Sequence, residues 1–425
     1  MLPLASATIA PSPWMILPFV LMLLAIALMP FLHATWWERH YAKFSVALGL
    51  FTAGYYVIIL RDGAHMLEVA HEYVSFIALV GSLFIVAGGI HIRVRGESTP
   101  LRNTLFLATG ALLANIVGTT GAAMLMIRPW IRMNKYRITA FHVVFFIFIV
   151  ANVGGALTPI GDPPLFLGYL RGVPFFWSVE HLWPAWAFVL GGLLAVFYIL
   201  DRINFRRAPE VVRVLETGYE KFRIDGKRNL FFVTLILLAV FLPSPWRELL
   251  MAGAAAGSWY FTPQPVHDSN HFHFHPVKEV AWLFFGIFGT MVPALDYLQA
   301  HADQLGIGKP VEFYAMTGLL SSCLDNAPTY LAFLAAGLGQ QGLSLKSTAD
   351  VALFAAEHAT TLAAISLGAV FFGAATYIGN GPNFMVKSIC EHAKVRTPTF
   401  FGYILRYTLP MLLPLLAAAA WLFLR

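Results

Sequence analysis

The chain has 425 residues, of which 58% are hydrophobic and only 12% charged, against about 25% charged in an ordinary soluble domain. Apolar runs of about 18 or more residues recur from Trp14 to Leu424, so the bilayer is the expected solvent and no soluble domain is left over. The net charge of +6 does not point to a nucleic-acid partner, because the Lys and Arg residues sit in short connections between apolar runs, as the positive-inside rule requires.

No Lys or Arg precedes the first apolar run and no convincing small-residue cleavage site follows it, so residues 13–33 read as a retained first crossing and not a signal peptide. Further crossings are expected near 42–60, 73–92, 138–168, 182–200, 229–243, 246–262, 280–300, 349–386 and 401–424. Two more apolar stretches, 103–127 and 312–338, read as re-entrant hairpins. The first has Arg93, Arg95 and Arg102 on one flank and Arg128, Arg132, Lys135 and Arg137 on the other, with Glu97 the sole acid. A crossing would place one basic cluster outside, so both flanks belong on the cytoplasmic face. Its tip, Asn115-Ile-Val-Gly-Thr-Thr-Gly121, contributes Asn115, Thr119 and Thr120 as candidate site residues and suits a turn buried at membrane depth. The connection 201–228 holds eight Lys or Arg against five acids and reads as cytoplasmic. It divides a single transmembrane domain, 1–425, into a first repeat of about 42–200 and a second of about 246–424.

A weak internal repeat supports that division. The hairpin tip 115–121 falls opposite Ser322-Cys-Leu-Asp-Asn-Ala-Pro328, and Ile160-Gly-Asp-Pro-Pro-Leu-Phe-Leu167 falls opposite Ile378-Gly-Asn-Gly-Pro-Asn-Phe-Met385. The topology count inverts one half relative to the other. The expected fold is therefore an all-α polytopic membrane protein of two inverted repeats, each with a re-entrant hairpin and a broken transmembrane helix, with the substrate site where the interruptions meet.

The run Asn152-Val-Gly-Gly-Ala-Leu-Thr-Pro-Ile-Gly-Asp-Pro-Pro164 carries three prolines and three glycines inside an apolar span, so the helix must break there. Asp162 sits at that break. An intramembrane Asp costs at least about 2.5 kcal/mol on insertion scales, which makes it a functional candidate by default. Asn152 and Thr158 belong to the same segment, Asn380 and Asn383 to the partner break, and Asp325 with Asn326 to the second hairpin tip. Together these form the candidate ion- and proton-binding set, with capping of the broken helices as the structural alternative. Two buried carboxylates can hold a cation or protons, and competition for one site is the minimal mechanism of antiport. Lys387 reads as a snorkelling residue, and Glu357, His358 and His142 as interior or relay groups. The loop His267, His271, His273 and His275 reads as solvated, and Cys323 and Cys390 lack metal-ligand spacing. No cofactor is expected, and no resident metal beyond transported Na⁺.

At GGALTPIGDPP, SSCLDNAPT and IGNGPN the chain resembles NhaD-type sodium/proton antiporters of the ion transporter superfamily, in the branch of citrate-transporter-like antiporters. The resemblance spans about 70–390. It implies exchange of Na⁺ or Li⁺ for H⁺ by alternating access, often in a homodimer, with Asp162 and Asp325 matching the motif acids. Multi-pass insertion in a bacterial inner membrane fits this reading. Pro163 and Pro164 stand where better-studied members carry hydroxyl residues, and the paired Ser-Asn-Thr motifs of dicarboxylate symporters are missing. A citrate or dicarboxylate symporter is the alternative, with an arsenite exporter of the same superfamily behind it. An enzyme is not expected: there is no GxSxG, and His71-Glu72 lacks the second histidine of a zinc-protease motif.

Overall fold

A computed structural model describes residues 12–93, 98–207, 223–270 and 272–425. Arg95, Glu97, His271 and most of the polar connection 201–228 lie outside the described residues. The described residues are mostly helical, and the strands among them are a two-stranded antiparallel pair that joins His91–Arg93 to Arg223–Asp225. Eight of the described helices are long and apolar enough to cross a membrane. This is a polytopic α-helical membrane protein.

Several boundaries move from the sequence expectation. The second helix starts at Ala34 rather than 42 and carries Glu38, Arg39 and Lys43 within its first turns. The third runs Gly63–Gly88. The segments read as crossings at 229–243 and 246–262 form helices of 11 and 16 residues, Asn229–Ala239 and Trp246–Phe261. At 1.5 Å per residue neither reaches the roughly 30 Å of a hydrocarbon core. The expected crossing 349–386 bends by 100° between Thr348–Glu357 and Ala359–Ala375, then breaks again before Gly381–His392.

The helix Pro100–Met133 doubles back on itself. Its turning point is Gly118, whose φ of 76° is open to glycine and strained for other residues. A straight helix of its 34 residues would be about 50 Å long, yet the Asn103 Nδ2 near one end donates to Asn134 Oδ1 just past the other at 2.7 Å. The second hairpin is Pro310–Cys323 with Asn326–Gln340. Its feet also close, Gln340 Nε2 donating to Ile307 O at 2.6 Å.

The two hairpins open toward opposite ends of the molecule. The feet of the first meet Asp201 at an arginine-rich end, where Asn270 Nδ2 also donates to Gly88 O and Ile90 O. The feet of the second lie at the other end, beside Tyr56, Asp296, Gln299 and Lys346. Between them, two helices break at equivalent points. Thr158 Oγ1 donates to Asn115 O at 2.7 Å, and Thr376 Oγ1 donates to Ser322 O at 2.6 Å. Each threonine oxygen in turn accepts from the glycine three residues on, Gly161 N at 3.1 Å and Gly379 N at 3.2 Å.

Close backbone approach explains those glycines. A Cβ on Gly161 would run into Gly155 O, and one on Gly379 would sit 2.7 Å from Gly373 O. Gly161→Ala is expected to lower stability by about 1–3 kcal/mol, since backbone cannot step aside. Gly191→Ala, with nothing near the added carbon, should leave the thermal midpoint in detergent almost unchanged; equal midpoints for both variants would refute the close-packing argument.

Candidate functional site

Asp162 is 1% exposed and stands as the N-cap residue of Pro163–Arg171. Its carboxylate gathers donors from both hairpin tips and from the other broken helix. Thr119 Oγ1 donates to Oδ1 at 2.7 Å, Asn380 Nδ2 to Oδ1 at 3.1 Å, and Asn326 Nδ2 to Oδ2 at 2.6 Å. No cation is among these partners. The charge is met by a hydroxyl and two amides, and by the N-terminal dipole of the helix it begins.

Behind this ring, Asn152 links the two breaks. Its Nδ2 donates to Asn383 Oδ1 at 2.7 Å, and its Oδ1 accepts from Asn380 Nδ2 at 3.1 Å. Asn383 Nδ2 is spent on Gly373 O and Thr376 O, at 2.7 and 2.9 Å. Asn326 Oδ1 is buried without a hydrogen-bond partner. An orphaned amide oxygen beside a carboxylate is the sort of ligand a small hard cation takes.

Sequence reasoning placed other residues less well. Asn115 does not face the carboxylate: its amide donates to Ala111 O and Gly154 O, and its Oδ1 accepts from Leu157 N. Together with Thr158 it fastens the hairpin to the break. Thr120 is half-buried and lines a cavity of about 30 Å³ beside Asp162, without a hydrogen bond to it. Asp325 is half-buried and caps Asn326–Gln340 by accepting from Ala327 N at 3.0 Å. It shares no hydrogen bond with Asp162, although it lies within Coulombic range.

Lys387 pairs with Glu391 at 2.7 Å and leaves the site alone. His267 is not solvated: it is 3% exposed, its ring lies tilted 4.5 Å from that of Trp259, and burial pushes its imidazole below the usual range. Among the described residues no group of three or more His, Cys, Asp and Glu comes together to hold a metal ion.

Sequence reasoning missed one buried cluster. Asp201, fully buried, takes hydrogen bonds from Arg137, from Asn103 at 2.8 Å and, on its Oδ1, has His142 Nε2 at 3.0 Å. Arg137 Nη2 also donates to Ser98 O at 3.0 Å. The only signal available was an acid at the start of a basic connection, which reads as loop.

The family described as putative citrate transport, CitMHS_2, matches residues 8–424. The chain belongs to that family. It also resembles a "46 kDa membrane protein" of Mycobacterium leprae (strain TN), 26% identical over 317 residues that cover 70% of this chain and 72% of that protein. This member of the citrate-transport family is thus a multi-pass membrane transporter, and its Asp162 ring lies where two hairpin tips and two helix breaks converge.

Proposed function

We propose that this transporter exchanges a monovalent cation, Na⁺ or Li⁺, for H⁺ at Asp162 by alternating access. The observation that carries the reading is a fully buried carboxylate held only by neutral donors. Such a group has no fixed counter-charge, so it is driven to take either a proton or a cation, and the two compete. A half-turn of the Asn326 and Asn380 amides would exchange donors for oxygens and line the same space for a cation. We read the oppositely opening hairpins and paired breaks as two inverted repeats, the arrangement through which such a site is exposed to either side. We read the protein as a multi-pass protein of a bacterial inner membrane, with its basic connections on the cytoplasmic side.

The second reading is citrate or dicarboxylate symport. The family description favours it, and so does one geometric feature: three helices, Pro163–Arg171, Asn326–Gln340 and Gly381–His392, all begin at the site. Helix N-termini attract anions. In that case Asp162 would hold the coupling ion.

The test is dissipation of a proton gradient in proteoliposomes on adding Na⁺, Li⁺, K⁺ and then citrate. Cation-evoked alkalinisation of an acid lumen supports antiport. A signal only with citrate overturns it in favour of symport. Asp325→Asn should slow exchange less than the equivalent change at Asp162, since Asp325 caps a helix and does not share the ring.

A further inference from the structure

The helix that Asp162 begins ends in an ion pair. Pro163–Arg171 has nine residues, so its last side chain stands about 13 Å from the carboxylate. Arg171 is 8% exposed, and its Nη2 lies 2.7 Å from Glu72 Oε2 on the helix Gly63–Gly88. The contact is single-pronged, and Arg171 Nε is buried without a hydrogen-bond partner.

One face of the helix Gly63–Gly88 links that pair to the cavity beside Asp162. One turn on from Glu72 comes Phe76, then Val80 and Leu83, which line the small cavity with Phe166, Thr120 and Asp162 itself. In the other direction lies the molecular end that carries Asp296 and Lys346, an ion pair at 3.1 Å whose lysine is 42% exposed. Such an exposed pair holds little. Glu72 and Arg171 therefore stand as a shielded ion pair between the cavity and that end, with side chains 18% and 9% exposed.

We propose that Glu72 and Arg171 are the gate that closes the route from Asp162 to the end opposite the arginine-rich one, and that they part each time the site opens there. This rests on Asp162 being the transport site. A bidentate Arg–carboxylate pair would hold this face shut firmly. A single contact with a spare Nε donor is weaker and easier to exchange. Because Arg171 and Asp162 terminate one short rigid helix, movement of the loaded carboxylate is transmitted directly to the pair.

The test uses the full chain with Cys323→Ser and a Thr120→Cys reporter, in vesicles of known orientation, labelled by a membrane-impermeant thiol reagent. Labelling needs neither cargo nor a proton gradient, so it separates failure of the gate from failure of the antiport reading. In Glu72→Gln or Arg171→Gln, labelling from the Arg171 side should be about tenfold faster, the shift expected for removing one charge-assisted hydrogen bond. The exchanged pair, Glu72→Arg with Arg171→Glu, should return it to the parental rate. Unchanged labelling in the single variants, or no rescue by the exchange, overturns the gate. If the single variants do not fold, Glu72→Asp and Arg171→Lys are read in the same assay: intermediate rates support the gate and parental rates overturn it.

Discussion

Asp162→Asn is expected to abolish coupled transport while leaving the protein inserted and folded. The substitution is isosteric, and the ring can absorb it: the new amide still accepts one hydrogen bond, and Asn326, whose Oδ1 has no partner, can turn its amide to meet the new donor. What is lost is the charge. A neutral side chain neither takes a proton nor offsets a cation, so the exchange rate should fall by about 100-fold or more, the scale of losing a charged ligand worth about 3 kcal/mol. Gradient dissipation in proteoliposomes measures the rate, and the thermal midpoint in detergent shows that the fold survives. Cation-driven proton movement at the parental rate would remove Asp162 from the mechanism.

The second large effect is on stability. Asp201→Ala is expected to destabilise the protein by about 3–5 kcal/mol, because Arg137 would be left as an uncompensated buried charge beside His142. Both feet of the first hairpin converge on this one carboxylate through Asn103, Asn134 and Arg137. Its loss should also expose the hairpin to limited proteolysis near residues 98–103. Arg137→Met paired with Asp201→Leu should recover much of the midpoint, since a packed apolar pair of similar volume avoids the desolvation penalty. A midpoint in Asp201→Ala equal to the parental value would show that the cluster contributes nothing.

The two effects also show what could be read beforehand. Asp162 was legible because three prolines and three glycines interrupt an otherwise apolar run, and no helix survives that composition. Asn380 and Asn383 were legible only through the repeat, since an amide beside a glycine carries no signal alone. Asp201 was hidden by its position: an acid that opens a basic connection is charged to the loop, whereas here the helix Trp177–Arg207 runs on through it and buries it. The short helices at 229–261 were overcounted because hydropathy sums apolar residues and cannot see how much of a run is helical. The bend at His358 has no proline or glycine beside it, so nothing local announced it. Thr119 and Asn115 look alike at a hairpin tip, and only the packing of the tip against Gly161 decides which one meets the carboxylate.

The two halves are not interchangeable. Thr158 reaches back 43 residues to Asn115, whereas Thr376 reaches back 54 to Ser322. The surplus matches the ten-residue helix Thr348–Glu357 and the bend that follows it. That helix is fastened near both ends, Trp177 Nε1 donating to Ala355 O at 2.9 Å and Gly172 lying against Thr348. A carrier with perfectly matched halves would face either way with equal ease when empty. Under the alternating access proposed above, this added buttress would make the two orientations unequal and give the unloaded protein a preferred resting side.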